Sequence, residues 1–325
     1  MSSLVALSTR DAVVMGCDSL ATATRLMVDP FDLFEYFNGS ELAVSDTDER
    51  PVLRNFGQIL ERASNIPFDH MTHVDKLFHL KPLKMGVMFT GVTSIGDRTV
   101  KSLIMEFRAK DQAFDESVTN YTVKSVADRL LDFLKEFDDK RLEDSPFARP
   151  SQLELILAGY NKSGPHPDVV KISLGDREVV SQERLGPMFG GQTREIERIV
   201  YGIDFATFSR LEARHHEALQ EYALATLKAN GVASPNLPKL SQDHRLFDGS
   251  FSLAGLGATW DDFSDQNAID CVSYFIRIMS QAQRFSSRMP TVGGEMSVAL
   301  IDQESGFRWV SRREYAHEDH RIERT

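Results

Sequence analysis

The chain opens on a nearly unbroken run of apolar and small residues, Ser2 to Ser8. A polar Thr9-Arg10-Asp11 follows, and then a second such run, Ala12 to Asp18. Short runs of this kind, bounded by turn residues, predict two buried strands joined as a hairpin. From about residue 23 to residue 70 the rhythm breaks. Asp29-Pro30, Asn38-Gly39 and Arg50-Pro51 are turn signals, and an acidic Ser45-Asp46-Thr47-Asp48-Glu49 runs between the last two. This stretch reads as a surface-facing insertion with one short helix near Leu53–Ala63. Strands resume over Asp75–Leu80 and Lys84–Thr90, and a tight turn from Gly91 to Asp97 leads into a helix. Its apolar positions Val100, Leu103, Ile104 and Phe107 fall at helical spacing. A second helix is expected over Val123–Lys140, with Val126, Leu130, Leu131, Leu134 and Phe137 on one face.

Leu153–Tyr160, Val169–Leu174 and Glu178–Glu183 predict three further strands. Gly190-Gly191 opens a helix over Arg194–Gly202, and residues 204–230 form a long charged helix ended by Pro235 and Pro238. A last amphipathic helix is expected over Ala268–Phe285, then a closing hairpin of Met296–Ile301 and Phe307–Val310. Strands and helices come in runs rather than in strict alternation. That order predicts an α+β fold, two sheets between helix layers, in an αββα four-layer sandwich.

Composition narrows the function classes. A chain of 325 residues suggests about two domains and can bury a large core without disulfides or a structural metal. Hydrophobic residues make up 42% and charged residues 26%, which excludes disorder, collagen and a membrane bundle. The net charge of −11 disfavours nucleic-acid binding, which needs a basic patch. Cys17 and Cys271 are too few for a disulfide framework and suit a reducing compartment. The first residues lack a basic region before their short apolar stretch, so no signal peptide is expected. No apolar run reaches the length of a bilayer crossing. The expectation is a soluble cytoplasmic protein without membrane or nucleic-acid partners.

Ser2 is small enough for methionine removal during synthesis, which would leave its α-amino group free beside its own hydroxyl. Such an amine can activate the hydroxyl as a nucleophile, and it titrates near neutrality. At the end of the second run stands Gly16-Cys17-Asp18-Ser19-Leu20-Ala21-Thr22, and further on Val74-Asp75-Lys76-Leu77, Phe89-Thr90-Gly91 and Gly293-Gly294. This ordered set resembles the proteasome β-subunit branch of the N-terminal nucleophile (Ntn) hydrolases, and within it a bacterial proteasome-related group such as the Anbu type. The family's Asp-Ser-Arg-Ala-Thr pattern is matched except that Leu20 replaces Arg, and aligning Asp18 puts Ser2, not Ser3, on the nucleophile. The resemblance spans residue 2 to about 310 apart from two insertions.

The resemblance implies that Ser2 attacks a carbonyl, with its α-amine as base. Lys76 holds positive charge against the nucleophile, Asp18 pairs with Lys76, and the Gly91 N–H donates to the oxyanion. It also implies peptide or amide substrates and a homo-oligomeric ring or spiral. No phosphate-binding Gly-x4-Gly-Lys-Ser/Thr is present, so an ATP-dependent unfoldase would be a separate partner. No metal or cofactor is expected. His70-Met71-Thr72-His73, His215-His216-Glu217 and His317-Glu318-Asp319-His320 lack metal-site spacing. The chain also departs from the family. Val292 and Met289 stand where the family has a Ser and an Asp before Gly293-Gly294, and Gly190-Gly191-Gln192-Thr193 replaces a Ser-Gly-Ser. Gln192, Thr193 and Thr291 are the candidates to supply the missing polar groups.

Each residue also has a plain role available: Ser2 as an ordinary N-terminal serine, Asp18 as a turn cap, Lys76 as a solvated edge charge, Gly91 as a tight turn. Two other functions stay open, a small-molecule amidase on the same fold and a non-catalytic subunit of a proteasome-like assembly. Pro30-Phe31-Asp32-Leu33-Phe34-Glu35-Tyr36-Phe37 is a core segment or an oligomer contact. Because the motif pieces run from Ser2 to Gly294, one domain is expected to span residues 1–325. Its insertions are at about 23–72 and 204–262, and a charged tail covers 312–325.

Overall fold

The computed structural model describes residues 2–27, 42–44, 51–53, 64–71, 74–111, 120–144, 149–232, 256–286 and 289–312. The acidic stretch near 45–49, the Phe-rich stretch 30–37 and the tail after Arg312 lie outside these residues. So does the helix expected near Leu53–Ala63, except for Leu53 itself, which ends a short strand.

In chain order the strands are Ser3–Ser8 (β1), Ala12–Asp18 (β2), Ala21–Met27 (β3), Leu42–Val44 (β4), Pro51–Leu53 (β5), Ser64–Met71 (β6), Leu77–His79 (β7) and Met85–Gly91 (β8). Ser94–Ile95 (β9), Arg98–Thr99 (β10), Leu153–Tyr160 (β11), Pro167–Ser173 (β12), Glu178–Ser181 (β13), Gly186–Gly191 (β14), Met296–Asp302 (β15) and Gly306–Ser311 (β16) follow. The helices are Val100–Lys110 (α1), Val123–Glu143 (α2), Arg194–Tyr201 (α3), Phe205–Ala229 (α4) and Asp265–Arg284 (α5). The class is α+β.

Two five-stranded sheets dominate, ordered β14-β1-β2-β15-β16 and β13-β12-β11-β8-β7, with every pairing antiparallel. β1 and β2 are buried along their whole length, which explains why both read as continuous apolar runs rather than alternating ones. Their two faces go to different cores, because successive side chains of a strand point oppositely. Leu4, Ala6, Val13 and Met15 meet Met88, Ile156, Ala158 and Val169 of the other sheet. Val5, Leu7 and Val14 pack instead on Ile196 of α3 and on Val272, Phe275, Ile276 and Met279 of α5. On the second sheet, Val87, Phe89, Leu155 and Leu157 pack against Leu103, Ile104 and Phe107 of α1 and Val126, Leu130 and Leu134 of α2.

The helices begin where the sequence supplies caps. Thr99 Oγ1 accepts from Ser102 N, Thr122 and Ser125 form a reciprocal capping box, and Ser264 Oγ accepts from Asn267 N. Two elements differ from expectation. Gly186–Gly191 is a strand rather than a helix entry, pairing along β1 from Ser3↔Gly191 to Ser8↔Gly186. The start of the first insertion is not loop-like: β3 and β6 form a two-stranded ribbon beside the end of β2. Among the described residues no helix is long and apolar enough to cross a membrane.

Candidate active site

The site lies where β1 begins and β2 ends. Antiparallel pairing aligns Leu4 with Cys17, so the residue before β1 and the last residue of β2 come side by side. Lys76 reaches the same place from a third direction. It stands just before β7 rather than on it, and its backbone is fixed from both flanks. Val74 N donates to Ser19 O (2.9 Å), and Phe89 N donates to Lys76 O (3.1 Å). Ser2, Asp18 and Lys76 are 4%, 1% and 2% exposed. A lysine on a solvated edge and an aspartate capping an open turn would not be buried to this degree.

Lys76 Nζ donates to Ser2 Oγ (2.5 Å), to Leu20 O (2.5 Å) and to Asp18 Oδ1 (3.3 Å). An ammonium has three N–H donors and no acceptor, and here three acceptors take them. The surroundings, three oxygens of which one belongs to a carboxylate, suit a cationic side chain. Asp18 is held equally fully. Its Oδ1 also accepts from Ser3 N (3.0 Å), and its Oδ2 accepts from Leu20 N (3.2 Å) and Gly293 N (3.1 Å). Burial pushes the Asp18 carboxyl above the usual carboxylate range, against the pull of the Lys76 ammonium and the Gly293 and Ser3 N–H groups. A buried ion pair persists only when its remaining lone pairs are satisfied, and these N–H donors do that.

The Ser2 main chain is clamped as tightly. Gln192 N donates to Ser2 O (2.7 Å), and Ser2 N donates to Thr90 Oγ1 (3.1 Å). With Met1 attached, this nitrogen is a peptide amide; removal of Met1 would make it an amine at the same position. Ser2 Oγ, beside Lys76, also lies 3.5 Å from Leu20 O as donor. Ser3 Oγ, by contrast, is buried with no hydrogen-bond partner, so the two adjacent serines are not equivalent. Gly191 (φ +72°) lets its strand approach the clamp: a Cβ there would stand 2.0 Å from Ser2 O.

Gly91 ends β8 one peptide beyond Thr90, at φ +104°, and a Cβ there would stand 2.0 Å from Gln152 O. Its identity therefore has a steric reason independent of any chemistry. Of the candidates for the missing polar groups, Thr193 Oγ1 donates to Glu197 Oε1, and Thr291 N and Oγ1 both donate to Gln283 Oε1. Both threonines are thus engaged elsewhere, whereas Gln192 touches Ser2 through its backbone. Thr90 is the residue that sequence reasoning does not single out. Its one signal is its place just before the turn glycine, on the strand that pairs with the Lys76 segment.

Cys17 is 1% exposed in the core between the sheets, and burial pushes its thiol up to about 12. It is a core residue, as strand alternation from Asp18 implies. A cleft of about 640 Å³ opens beside Asp18, between α5 and Gly293–Met296, with Arg277, Arg284 and Arg312 on its walls. Ser2 and Lys76 do not line it. His215 and His216 lie on α4, far in sequence from these groups, and the described residues hold no cluster of metal-ligating type. No protein-family model matches the chain, and no curated protein matches it.

Proposed function

We propose that the protein is an N-terminal nucleophile hydrolase that cleaves amide bonds in peptides through Ser2, after removal of Met1. The observation that carries this is the use of all three Lys76 N–H donors, one of them on Ser2 Oγ. A nucleophilic hydroxyl needs a base, and a lysine that donates to three oxygens would act here as a charge rather than a base. The base is then assigned to the Ser2 α-amine itself.

In the reaction the Ser2 Oγ attacks the substrate carbonyl carbon while the α-amine takes the hydroxyl proton. The Lys76 ammonium stabilises the forming alkoxide character at Oγ, and Asp18 keeps Lys76 in place and charged. The oxyanion is assigned to the Gly91 N–H, which follows the Thr90 contact to the Ser2 nitrogen. Collapse expels the leaving amine, which takes the proton from the α-amine, and leaves an acyl-Ser2 ester. Water attacks this ester with the amine again as base, releasing the acid and Ser2.

The layer order supports the same reading at the level of fold. A core between two antiparallel sheets and a separate core under helices on each outer face are what an αββα sandwich requires. Assembly into a ring or spiral, and an unfoldase partner, rest on the resemblance alone. Turnover tests the proposal. Full-length protein with Met1 removed should release fluorophore from peptidyl amides, and Ser2→Ala should abolish this. Preference for acylated amino acids over peptides would instead mean a small-molecule amidase. No turnover of either class, with Met1 removed, would favour a non-catalytic subunit.

A further inference from the structure

Helix α4, 25 residues long, has no buried residue and meets α3 through its N-terminal end. There Phe205 N donates to Glu197 Oε2, and the Tyr201 and Phe205 rings lie 5.5 Å apart. The rest of the helix has two unlike faces. Glu212, His216, Gln220, Ala223 and Leu227 are half-buried and form one side at helical spacing. Beside them runs a strip on which Leu211, Ala218, Tyr222 and Ala225 are all exposed, Leu211 at 50% and Tyr222 at 73%. The half-buried Phe208 and His215 border this strip and complete a heptad. Phe208, His215 and Tyr222 recur every seven residues, as do Leu211, Ala218 and Ala225. That is the spacing of a two-helix seam, and the alanines permit close approach.

The charges beside this seam are self-complementary under reversal. Going along the helix, Arg210 and Arg214 precede Glu217 and Glu221, all four exposed on one flank. A copy running the opposite way presents its glutamates where the first presents its arginines. We propose that a second copy of this chain covers the seam, α4 against α4, antiparallel about a two-fold axis between His216 and Glu217. Leu211 then lies opposite Tyr222 of the second copy, His215 opposite Ala218, and Phe208 opposite Ala225. In the same register Arg214 comes within about one turn of Glu221 of the second copy, twice by symmetry. A parallel pair would set this flank against the opposite one, with Arg214 near Leu219 and Glu221 near Thr226 of the second copy, and would form no Arg214–Glu221 pair. The charge order therefore favours the antiparallel direction, which alone pairs Arg214 with Glu221, and the pairing does not depend on Ser2 chemistry.

Disulfide trapping tests the register. In full-length protein carrying Cys271→Ser, the double variant Leu211→Cys/Tyr222→Cys should give a covalent dimer with oxidised glutathione. Within one chain the two sites are about 16 Å apart along the helix, beyond the reach of a disulfide. Each single variant should stay monomeric after denaturation, because the antiparallel register keeps a residue as far from its own copy. Arg214→Glu should weaken the dimer by about tenfold, and Arg214→Glu/Glu221→Arg should restore it. Absence of a covalent dimer from the double variant would overturn the proposal, as a partner of another kind on this face would predict. Equal trapping of the single variants would overturn it too, since only a parallel or unspecific contact allows that.

Discussion

Replacing Lys76 by Met keeps most of the side-chain volume and removes the ammonium. Asp18, 1% exposed, would be left with the N–H donors of Ser3, Leu20 and Gly293 but no counter-charge. Breaking a buried ion pair from one side costs about 3–5 kcal/mol, and the three N–H bonds put this case at the lower end, about 3 kcal/mol. The penalty depends on pH in a defined sense. Burial already raises the Asp18 carboxyl in the folded state, and loss of Lys76 raises it further. Below the ordinary carboxylate range Asp18 is protonated in folded and unfolded chains alike, and the variant shows little of the deficit. Between the ordinary value and the wild-type folded one both proteins lose stability alike. As pH rises from the wild-type folded value to the variant's higher one the deficit against wild type grows, and above that it levels off. Urea denaturation of wild type and Lys76→Met at pH 5 and pH 8 measures it, with Lys76→Met/Asp18→Asn as the variant that removes both charges. The double variant should recover much of the loss at pH 8. If Lys76→Met matches wild type at pH 8, the pair is not buried as described and the charge argument at Ser2 fails with it.

Thr90→Val removes the acceptor of the Ser2 nitrogen while keeping the shape; it should cost about 1–3 kcal/mol in a denaturation series, and Thr90→Ser should recover it. Gly191→Ala puts a Cβ 2.0 Å from Ser2 O at φ +72° and should lower the thermal midpoint and abolish turnover together. Retention of both would mean β14 does not press on Ser2. Turnover should fall on the acid side near neutrality, where the Ser2 α-amine that serves as base takes up its proton; a pH–rate profile reads this directly. Cys17, its thiol held up at about 12, should resist alkylation at pH 8 in native protein and react only after denaturation.

The parts of the fold most legible in the sequence are those whose burial is continuous or strictly periodic. Leu153–Tyr160 has the same bounds in sequence and structure because this core strand is apolar almost throughout and ends in polar turns. α1 and α2 follow from Val100 to Phe107 and Val126 to Phe137 at helical spacing. β14 is hidden because Gly186-Pro187-Met188-Phe189-Gly190-Gly191 carries the marks of a loop. A proline survives there because β14 is an edge strand, pairing only with β1. The β3–β6 ribbon is hidden because its partners lie on either side of a long insertion, and pairing at that separation leaves no local trace.

The site is legible as identities, not as contacts. Ser2, Asp18 and Lys76 stand out by their order along the chain, and they do converge. The Leu20 carbonyl, the Gly293 N–H and the Gln192 N–H are not legible, because backbone groups leave no mark on residue type. Thr90 is visible only as the neighbour of a turn glycine.

The most direct test of Ser2 as the nucleophile is peptide mapping by mass spectrometry. The untagged protein is treated with an amine- and hydroxyl-directed epoxyketone or β-lactone. The expected result is an N-terminal peptide lacking Met1 and carrying one adduct on Ser2, with none in Lys76→Met. Met1 retained, or labelling elsewhere with Ser2 unmodified, would contradict it.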